Sequence, residues 1–256
     1  IHRFPQEPHG MAGHSKWKQI KHYKAATDAK RGALFTKLIR EITVAAKFGG
    51  GDPAGNARLR TAIDNAKASS MPKENIERAI KKGTGELEGV DYQEALYEAY
   101  APGGVALMIQ ALTDNPTRTV AEVRAKLSRG GGNLGTSNSV SYLFNRLGRI
   151  YLPATGDEDS MMELALEAGA SDFAREDDQF VVSTEPAELH AVRQALVDKG
   201  LAVGQAQLEW IPLTTVSVGG EDAQKLVKLL DALEDLDDVQ KVEGNFDIDE
   251  AALAEA

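Results

Sequence analysis

The chain has 256 residues, a formal net charge of -10, 42% hydrophobic residues and no cysteine. This length predicts two or three domains rather than one compact core, and the composition is ordinary for a globular protein. The lack of cysteine excludes disulfides, thiolate metal sites and a cysteine nucleophile. No apolar run approaches the roughly 18 residues that a membrane span needs. We therefore expect a soluble, cytoplasmic protein with no membrane partner.

Charge is divided unevenly along the chain. Residues 1–82 contain 17 Lys and Arg against 7 Asp and Glu, whereas the remaining residues contain 12 against 32. Residues 83–150 have a net charge of only -1, so most of the acid lies from Tyr151 onward, where the net charge is -19. Because salt screens charges beyond about 8 Å, a separate basic module keeps its own local field within an acidic protein.

The first elements in chain order are helices. Apolar residues recur every three or four positions across residues 34–42, which predicts an amphipathic helix that ends at the glycines 49–51. Asp52 predicts the N-cap of a second helix, and Pro72 begins a third. Together these elements predict a basic helical domain over residues 11–83.

After this domain the pattern changes to that of strands alternating with helices. Residues 149–211 predict the order strand, helix, strand, strand, helix, strand, which is a complete split βαβ unit. The segments on either side of it have too few strands for separate sheets, so we expect them to join with the unit inserted between them. The predicted fold class is α+β with three domains, in which the basic helical domain is followed by two ferredoxin-like α/β modules, one inserted in the other. The predicted boundaries are a disordered extension at 1–10, the helical domain at 11–83, a discontinuous α/β domain at 84–140 plus 212–250, the inserted domain at 141–211 and a tail at 251–256.

A basic and aromatic run at residues 14–24 is the leading candidate for a binding site, because four lysines surround Trp17 and Tyr23. Lysines neutralise phosphates, and flat aromatic rings stack on exposed bases. Basic residues of the next helix extend this positive surface. The alternative is a solvated charged face with Trp17 buried as a domain anchor. The predicted nucleic-acid-binding residues are His14, Lys16, Trp17, Lys18, Lys21, His22, Lys24, Lys30, Arg31, Lys37 and Arg40.

Other motifs predict less. Arg118, Arg124 and Arg129 fit a secondary phosphate contact as well as they fit a solvated helix face. The glycines at 130–135 match G-x-G-x-x-G, but they follow a helix instead of opening one, so no dinucleotide site is expected. The histidines lack metal-ligand spacing and no nucleophile motif occurs, so we expect no metal, no cofactor, no catalytic residue and no enzymatic activity.

The acidic region from Tyr151 fits a solubilising surface, a docking surface for the ribosome or a basic protein, or a clamp on the basic domain.

Several linked motifs point to one family. They are Met11–Trp17, Phe35–Ile42, the segment from Asp52 to Arg60, Met71–Gly83 and the segment from Tyr97 to Asn115. These motifs resemble the YebC/PmpR family, which includes the mitochondrial translational activator of cytochrome oxidase, over nearly the whole chain. The resemblance implies a three-domain α-plus-α/β architecture in the cytoplasm. One departure is Asn138, which stands where the family commonly has glycine; asparagine also tolerates left-handed backbone angles, so we expect the turn to survive.

The resemblance also carries functional expectations. Members of this family are generally described as transcriptional regulators that bind DNA, whereas the mitochondrial and some bacterial relatives are associated with ribosomes. We therefore expect a non-enzymatic, nucleic-acid-binding regulator, and favour a monomer. The first hypothesis is a DNA-binding transcriptional regulator. The second is a ribosome-associated translation factor that binds rRNA near the peptidyl-transfer centre, which the lack of a recognisable helix-turn-helix favours. A third is an adaptor that acts through its acidic domains.

Overall fold

The structure is a computed structural model that describes residues 28–248, with side chains from residue 32. The predicted extension at 1–10 and the tail at 251–256 lie outside the described residues.

Within the described residues the helical module has three helices: α1 (Asp28–Gly49), α2 (Ala57–Ala68) and α3 (Lys73–Gly83). Their apolar faces form one buried cluster that includes Ile42 and Leu59. Leu34, the first apolar residue of the predicted stretch, is exposed.

The N-cap predicted at Asp52 is wrong, because Asn56 caps α2 by accepting a hydrogen bond from the backbone N–H of Leu59. The side-chain amide of Asn56 also donates to the carbonyls of Ala45 and Gly50. One asparagine thus satisfies backbone groups on both sides of the turn between α1 and α2.

The second module is discontinuous in sequence. Its elements are β1 (Gln93–Ala101), β2 (Val105–Thr113), α4 (Pro116–Arg129), β3 (Asn133–Leu134), β8 (Val216–Val218), α7 (Gly220–Glu234), β9 (Val239–Gly244) and β10 (Phe246–Ile248). The main antiparallel sheet has the order β3-β1-β2-β9, and a parallel pair, β8 with β10, lies beside it. The two helices α4 and α7 pack with the sheet around a large apolar core.

The third module is inserted between β3 and β8. Its elements are β4 (Phe144–Pro153), α5 (Glu158–Glu167), β5 (Asp172–Glu176), β6 (Gln179–Thr184), α6 (Leu189–Asp198) and β7 (Ala206–Pro212). The antiparallel sheet has the order β5-β6-β4-β7, which with two helices on one face is the arrangement of an α/β plait. The helices and the sheet share a separate apolar core.

The α+β fold class is confirmed. The discontinuous module departs from a ferredoxin-like plait in its strand order, because its β1–β2 hairpin occupies the centre of the sheet and β3 and β9 flank it. The two-residue strand β3 was not predicted, since a strand this short has no measurable alternation. Asn138 adopts a φ of 64°, which confirms the left-handed turn expected there.

The helical module contacts both of the others. Asp64 on α2 forms an ion pair with Arg193 on α6 at 2.9 Å. The side chain of Asn65 exchanges two hydrogen bonds with the backbone of Ala206 at the start of β7. Across the same junction, Thr61 Oγ1 lies 2.7 Å from His190 Nδ1. The contacts with the discontinuous module are described with the site below.

Two features do not occur within the part of the chain that the structure describes. None of its helices is both long enough and apolar enough to cross a membrane. Nor do three or more His, Asp or Glu side chains come together as a possible metal site.

Replacing Gly148 by alanine tests how closely α6 packs against β4. A Cβ at this position would lie 2.2 Å from Thr184 Oγ1 and 2.9 Å from Leu189 Cβ. We expect Gly148→Ala to lower the free energy of unfolding by about 1–3 kcal/mol, the usual cost of overpacking a core. Urea denaturation followed by circular dichroism measures the change.

Gly32→Ala is the matched control, because nothing lies within 4 Å of its added Cβ and the residue is inside α1. Alanine in a helix should leave stability unchanged or raise it slightly. Equal losses from both substitutions would contradict the close approach of α6 to β4.

Candidate nucleic-acid interface

Half of the residues predicted to contact nucleic acid precede the described part of the structure. His14, Lys16, Trp17, Lys18, Lys21, His22 and Lys24 lie outside the described residues. Lys30 and Arg31 belong to the first turn of α1, where the backbone but not the side chains is described. The side chains of the remaining five predicted residues can be placed.

The predicted phosphate contact at Arg40 is corrected by the structure. This side chain is buried, with only 9% of the residue exposed. Its Nη1 donates to Asp238 Oδ1 at 2.6 Å and to the carbonyl of Leu112 at 3.0 Å. Its guanidinium also lies over the ring of Tyr92. Arg40 therefore joins the helical module to the discontinuous module instead of facing solvent.

Asp238 is the acceptor at the centre of this junction, and only 3% of the residue is exposed. Besides Arg40, its carboxylate receives hydrogen bonds from Arg118 Nη2 at 2.7 Å, Thr119 Oγ1 at 2.5 Å and Thr113 Oγ1 at 3.2 Å. The donors come from α1, β2 and α4. Both oxygens of the buried carboxylate thus accept hydrogen bonds, which replace the water lost on burial.

These hydrogen bonds control the ionisation of Asp238. Burial alone would raise the pKa of this carboxyl group, but the hydrogen bonds from Arg118, Thr119 and Arg40 outweigh burial and lower the pKa to about 2. The group is therefore ionised at neutral pH, and its charge is balanced by the two arginines.

Lys37 lies one turn before Arg40 on the same helix and also reaches the discontinuous module. Its Nζ donates to the carbonyl of Glu234 at 2.9 Å. Glu234 is the last residue of α7, where carbonyl groups lack helical partners and a cation is favourable. Lys37 therefore contributes to the same junction, and its role as a phosphate contact stays a prediction.

The three arginines predicted on α4 differ in their surroundings. Arg118 is held by Asp114 at 2.6 Å and by Asp238 at 2.7 Å, so its charge is balanced by carboxylates. Arg124 and Arg129 are exposed, and neither forms an ion pair with any residue from 32 to 248. Of the three, these two have guanidinium groups that a phosphate could reach.

A cleft of about 430 Å³ opens beside the junction. Arg40, Tyr92 and Arg118 line one part of it, while the exposed Asp235 and Asp237 contribute negative charge. The acidic lining makes this cleft a poor site for a phosphate, so it is not part of the candidate interface.

Two basic residues were missed as candidates. Lys81 and Lys82 form the exposed last turn of α3, and neither has an ion-pair partner among the residues whose side chains are described. The sequence identified them only as a helix end. Their position just before the change from basic to neutral chain was the available signal.

Two parts of the chain match known protein domains of one family. Residues 15–86 match the TACO1/YebC protein N-terminal domain, and residues 92–246 match the TACO1/YebC second and third domain. The chain belongs to the TACO1/YebC family.

Individual relatives agree with this assignment. The chain is 64% identical over 247 residues to a "probable transcriptional regulatory protein" of Gemmatimonas aurantiaca, which covers 96% of this chain and 100% of that protein. A protein of the same description from Acidithiobacillus ferrooxidans is 56% identical, over 95% of this chain and 98% of its own length. The crystal structure of a conserved hypothetical protein from Aquifex aeolicus is 53% identical with a TM-score of 0.83, covering 92% and 98% of the two chains.

The junction predicts a strong dependence of stability on Asp238. In Asp238→Asn a neutral amide replaces the carboxylate. Its NH₂ group is itself a donor and faces the donors Arg40, Arg118 and Thr119. We expect a loss of about 3–5 kcal/mol at pH 7, because a buried arginine loses its partner. Urea denaturation of both proteins between pH 7 and pH 2 measures it.

The pH dependence gives a second readout of the same variant. The pKa of Asp238 in the folded protein is about 2, below the unfolded value of about 3.9. Its stabilising contribution is therefore complete above about pH 5 and is lost as the pH falls towards 2. The difference between wild type and Asp238→Asn should narrow over this interval. Glu77→Gln is the control, because Glu77 pairs with Lys73 on an exposed helix face at 3.4 Å and should contribute less than about 0.5 kcal/mol. A constant difference at all pH values would contradict the assignment.

Proposed function

We propose that this protein is a non-enzymatic regulator of gene expression that binds nucleic acid through its N-terminal basic region. The supporting observation is the concentration of positive charge in residues 1–82, with 17 Lys and Arg against 7 Asp and Glu in an otherwise acidic chain. Phosphate groups are the polymer feature that such a charge distribution attracts.

The described contacts refine the set of binding residues. Arg40 is removed from it because it is buried against Asp238. The proposed contacts are the lysines of residues 14–24 together with Lys30 and Arg31. Lys81 and Lys82 are added because they are exposed on the same module.

The first candidate function is that of a DNA-binding transcriptional regulator. Its support is the description of close relatives, of which those from Gemmatimonas aurantiaca and Acidithiobacillus ferrooxidans are both called probable transcriptional regulatory proteins. At these identities and coverages a shared molecular role is the simplest expectation.

The second candidate is a translation factor that binds rRNA on the ribosome. Its support is the lack of a recognisable helix-turn-helix in the sequence, since such a motif needs a recognition helix that is free to enter the major groove of DNA. The three helices are joined by short turns around one small core, and two of them are fixed by polar contacts to the other modules. In this candidate the acidic α/β modules dock on the ribosome or a basic protein. Under both candidates we propose a cytoplasmic protein that works as a monomer.

Crosslinking in cells followed by sequencing of both bound DNA and bound RNA separates the two candidates. Enrichment at discrete promoters supports the transcriptional regulator and contradicts the ribosomal role. Enrichment on large-subunit rRNA does the reverse. Recovery of neither polymer contradicts the proposed function as a whole.

The electrostatic part of the proposal predicts a specific salt dependence. Affinity for nucleic acid should fall steeply with salt because binding releases counterions. Replacing Lys16, Lys18 and Lys21 by Glu should weaken binding and reduce the slope of log affinity against log salt by about 2–3, since three phosphate contacts are lost. Fluorescence anisotropy with a labelled oligonucleotide over a salt series measures both.

The matched control reverses three exposed lysines elsewhere, Lys199, Lys225 and Lys228. It changes the net charge equally but outside the basic module, so the salt slope should stay at the wild-type value. If both triple variants have the same effect, binding depends on overall charge and the assigned residues are wrong.

A further inference from the structure

One segment of the chain differs from the rest in containing no acidic residue. From Val123 to Gly156 the chain contains no Asp or Glu, although the whole protein has 39 of them. The same segment contains five basic residues, of which Arg124, Arg129 and Arg146 are exposed. It runs from α4 through the loop after β3 into β4, at the edge of the sheet of the discontinuous module.

One buried carboxylate holds the loop of this segment in place. Glu98 on β1 accepts hydrogen bonds from the backbone N–H groups of Asn138, Val140 and Ser141 at 2.6, 2.7 and 2.9 Å. Its own carbonyl accepts from the N–H of Gly135 at 2.8 Å. Burial alone would raise the pKa of Glu98, but these backbone donors outweigh it and the pKa is lowered. The loop is therefore fixed by a charge that stays ionised at neutral pH.

The fixed loop presents aromatic and hydrogen-bonding groups to solvent. Tyr142 directly follows it and is 69% exposed, the largest exposed fraction among the large hydrophobic residues of the described chain. Tyr100 is also exposed, and its hydroxyl donates to the carbonyl of Ser139 at 3.0 Å. Thr136, Ser137 and Asn138 are exposed between them. Four residues after Tyr142, Arg146 lies over the ring of Trp210 at 5.9 Å.

We propose that this surface, formed by Arg129, Tyr100, residues 136–138, Tyr142 and Arg146, binds a single-stranded stretch of RNA. Tyr142 stacks on an unpaired base, the two arginines contact phosphates on either side, and the polar loop residues bond to base edges or ribose hydroxyls. This inference rests on the proposed nucleic-acid-binding function and assigns it a second contact, separate from the basic N-terminal region.

The chemistry of the surface favours unpaired RNA over a duplex. A ring that protrudes from a rigid loop can stack only on a base that has left a helix. Short hydroxyl and amide side chains match the base edges and the 2′-hydroxyl groups that a single strand exposes. The proposed surface has two exposed arginines, Arg129 and Arg146, which are few for a face that binds a duplex.

The test uses the full chain and a short single-stranded RNA that contains thiouridine. Ultraviolet crosslinking followed by mass spectrometry of the digested protein should place the modified nucleotide on a peptide that contains Tyr142. In anisotropy measurements, Tyr142→Ala should bind this RNA roughly 5- to 150-fold more weakly, the range for loss of one stacked base. Tyr142→Phe should bind like wild type, whereas Tyr142→Leu should bind like the alanine variant because it has no flat ring.

Folding does not confuse this test, because Tyr142 is exposed and its substitution should leave the thermal unfolding temperature unchanged. Phe48→Ala is the control for an exposed aromatic residue elsewhere, since Phe48 is 65% exposed at the end of α1. A loss of affinity for the RNA in Phe48→Ala equal to that in Tyr142→Ala would overturn the assignment of stacking to Tyr142.

The outcomes separate this inference from the proposed function. If wild type binds the RNA, loses affinity on reversal of Lys16, Lys18 and Lys21, but is unaffected by Tyr142→Ala, the proposed function stands and this inference fails. A greater effect of Tyr142→Ala on duplex DNA of the same sequence than on the RNA would also overturn it. Failure of wild type to bind any nucleic acid would overturn both.

Discussion

A buried carboxylate is tolerated only when donors replace the water it has lost, and Asp238 imposes this constraint on the fold. Its partners are Arg40 on α1, Thr113 at the end of β2, and Arg118 and Thr119 on α4. The position of the helical module is thus tied to the first turn of α4 and to the end of β2.

The junction also changes the meaning of the charge distribution. Arg40 and Lys37 make contacts to the discontinuous module, and Arg58 on α2 pairs with Glu94 on β1 as well as with Glu41. Part of the positive charge of the helical module therefore holds the protein together. The charge that remains for the proposed binding of a phosphate polymer lies in residues 14–24, in the first turn of α1 and at the end of α3. Fewer basic residues are therefore available than the count for residues 1–82 suggests.

Local patterns were enough to predict the α+β fold and the inserted unit, whose four strands and two helices occur in the predicted order. The role of Arg40 was beyond such patterns, because its partner Asp238 is 198 residues away in sequence and only the folded chain brings them together. The N-cap at Asn56 and the strand order of the discontinuous module were not predicted for a related reason. Both depend on which of several similar local choices the packing of distant elements selects.

The plait enters and leaves its host domain at one point. Phe144 and Pro212, at the start of β4 and the end of β7, lie side by side in the sheet, and the backbone N–H of Leu213 donates to the carbonyl of Leu143 at 2.9 Å. The two connections therefore run side by side and join the plait to its host domain at one place. Since its ends are adjacent, the plait also occupies the place of an ordinary short loop between β3 and β8. In evolutionary terms, such an insertion can be exchanged, enlarged or lost without altering the spacing of the strands that carry it.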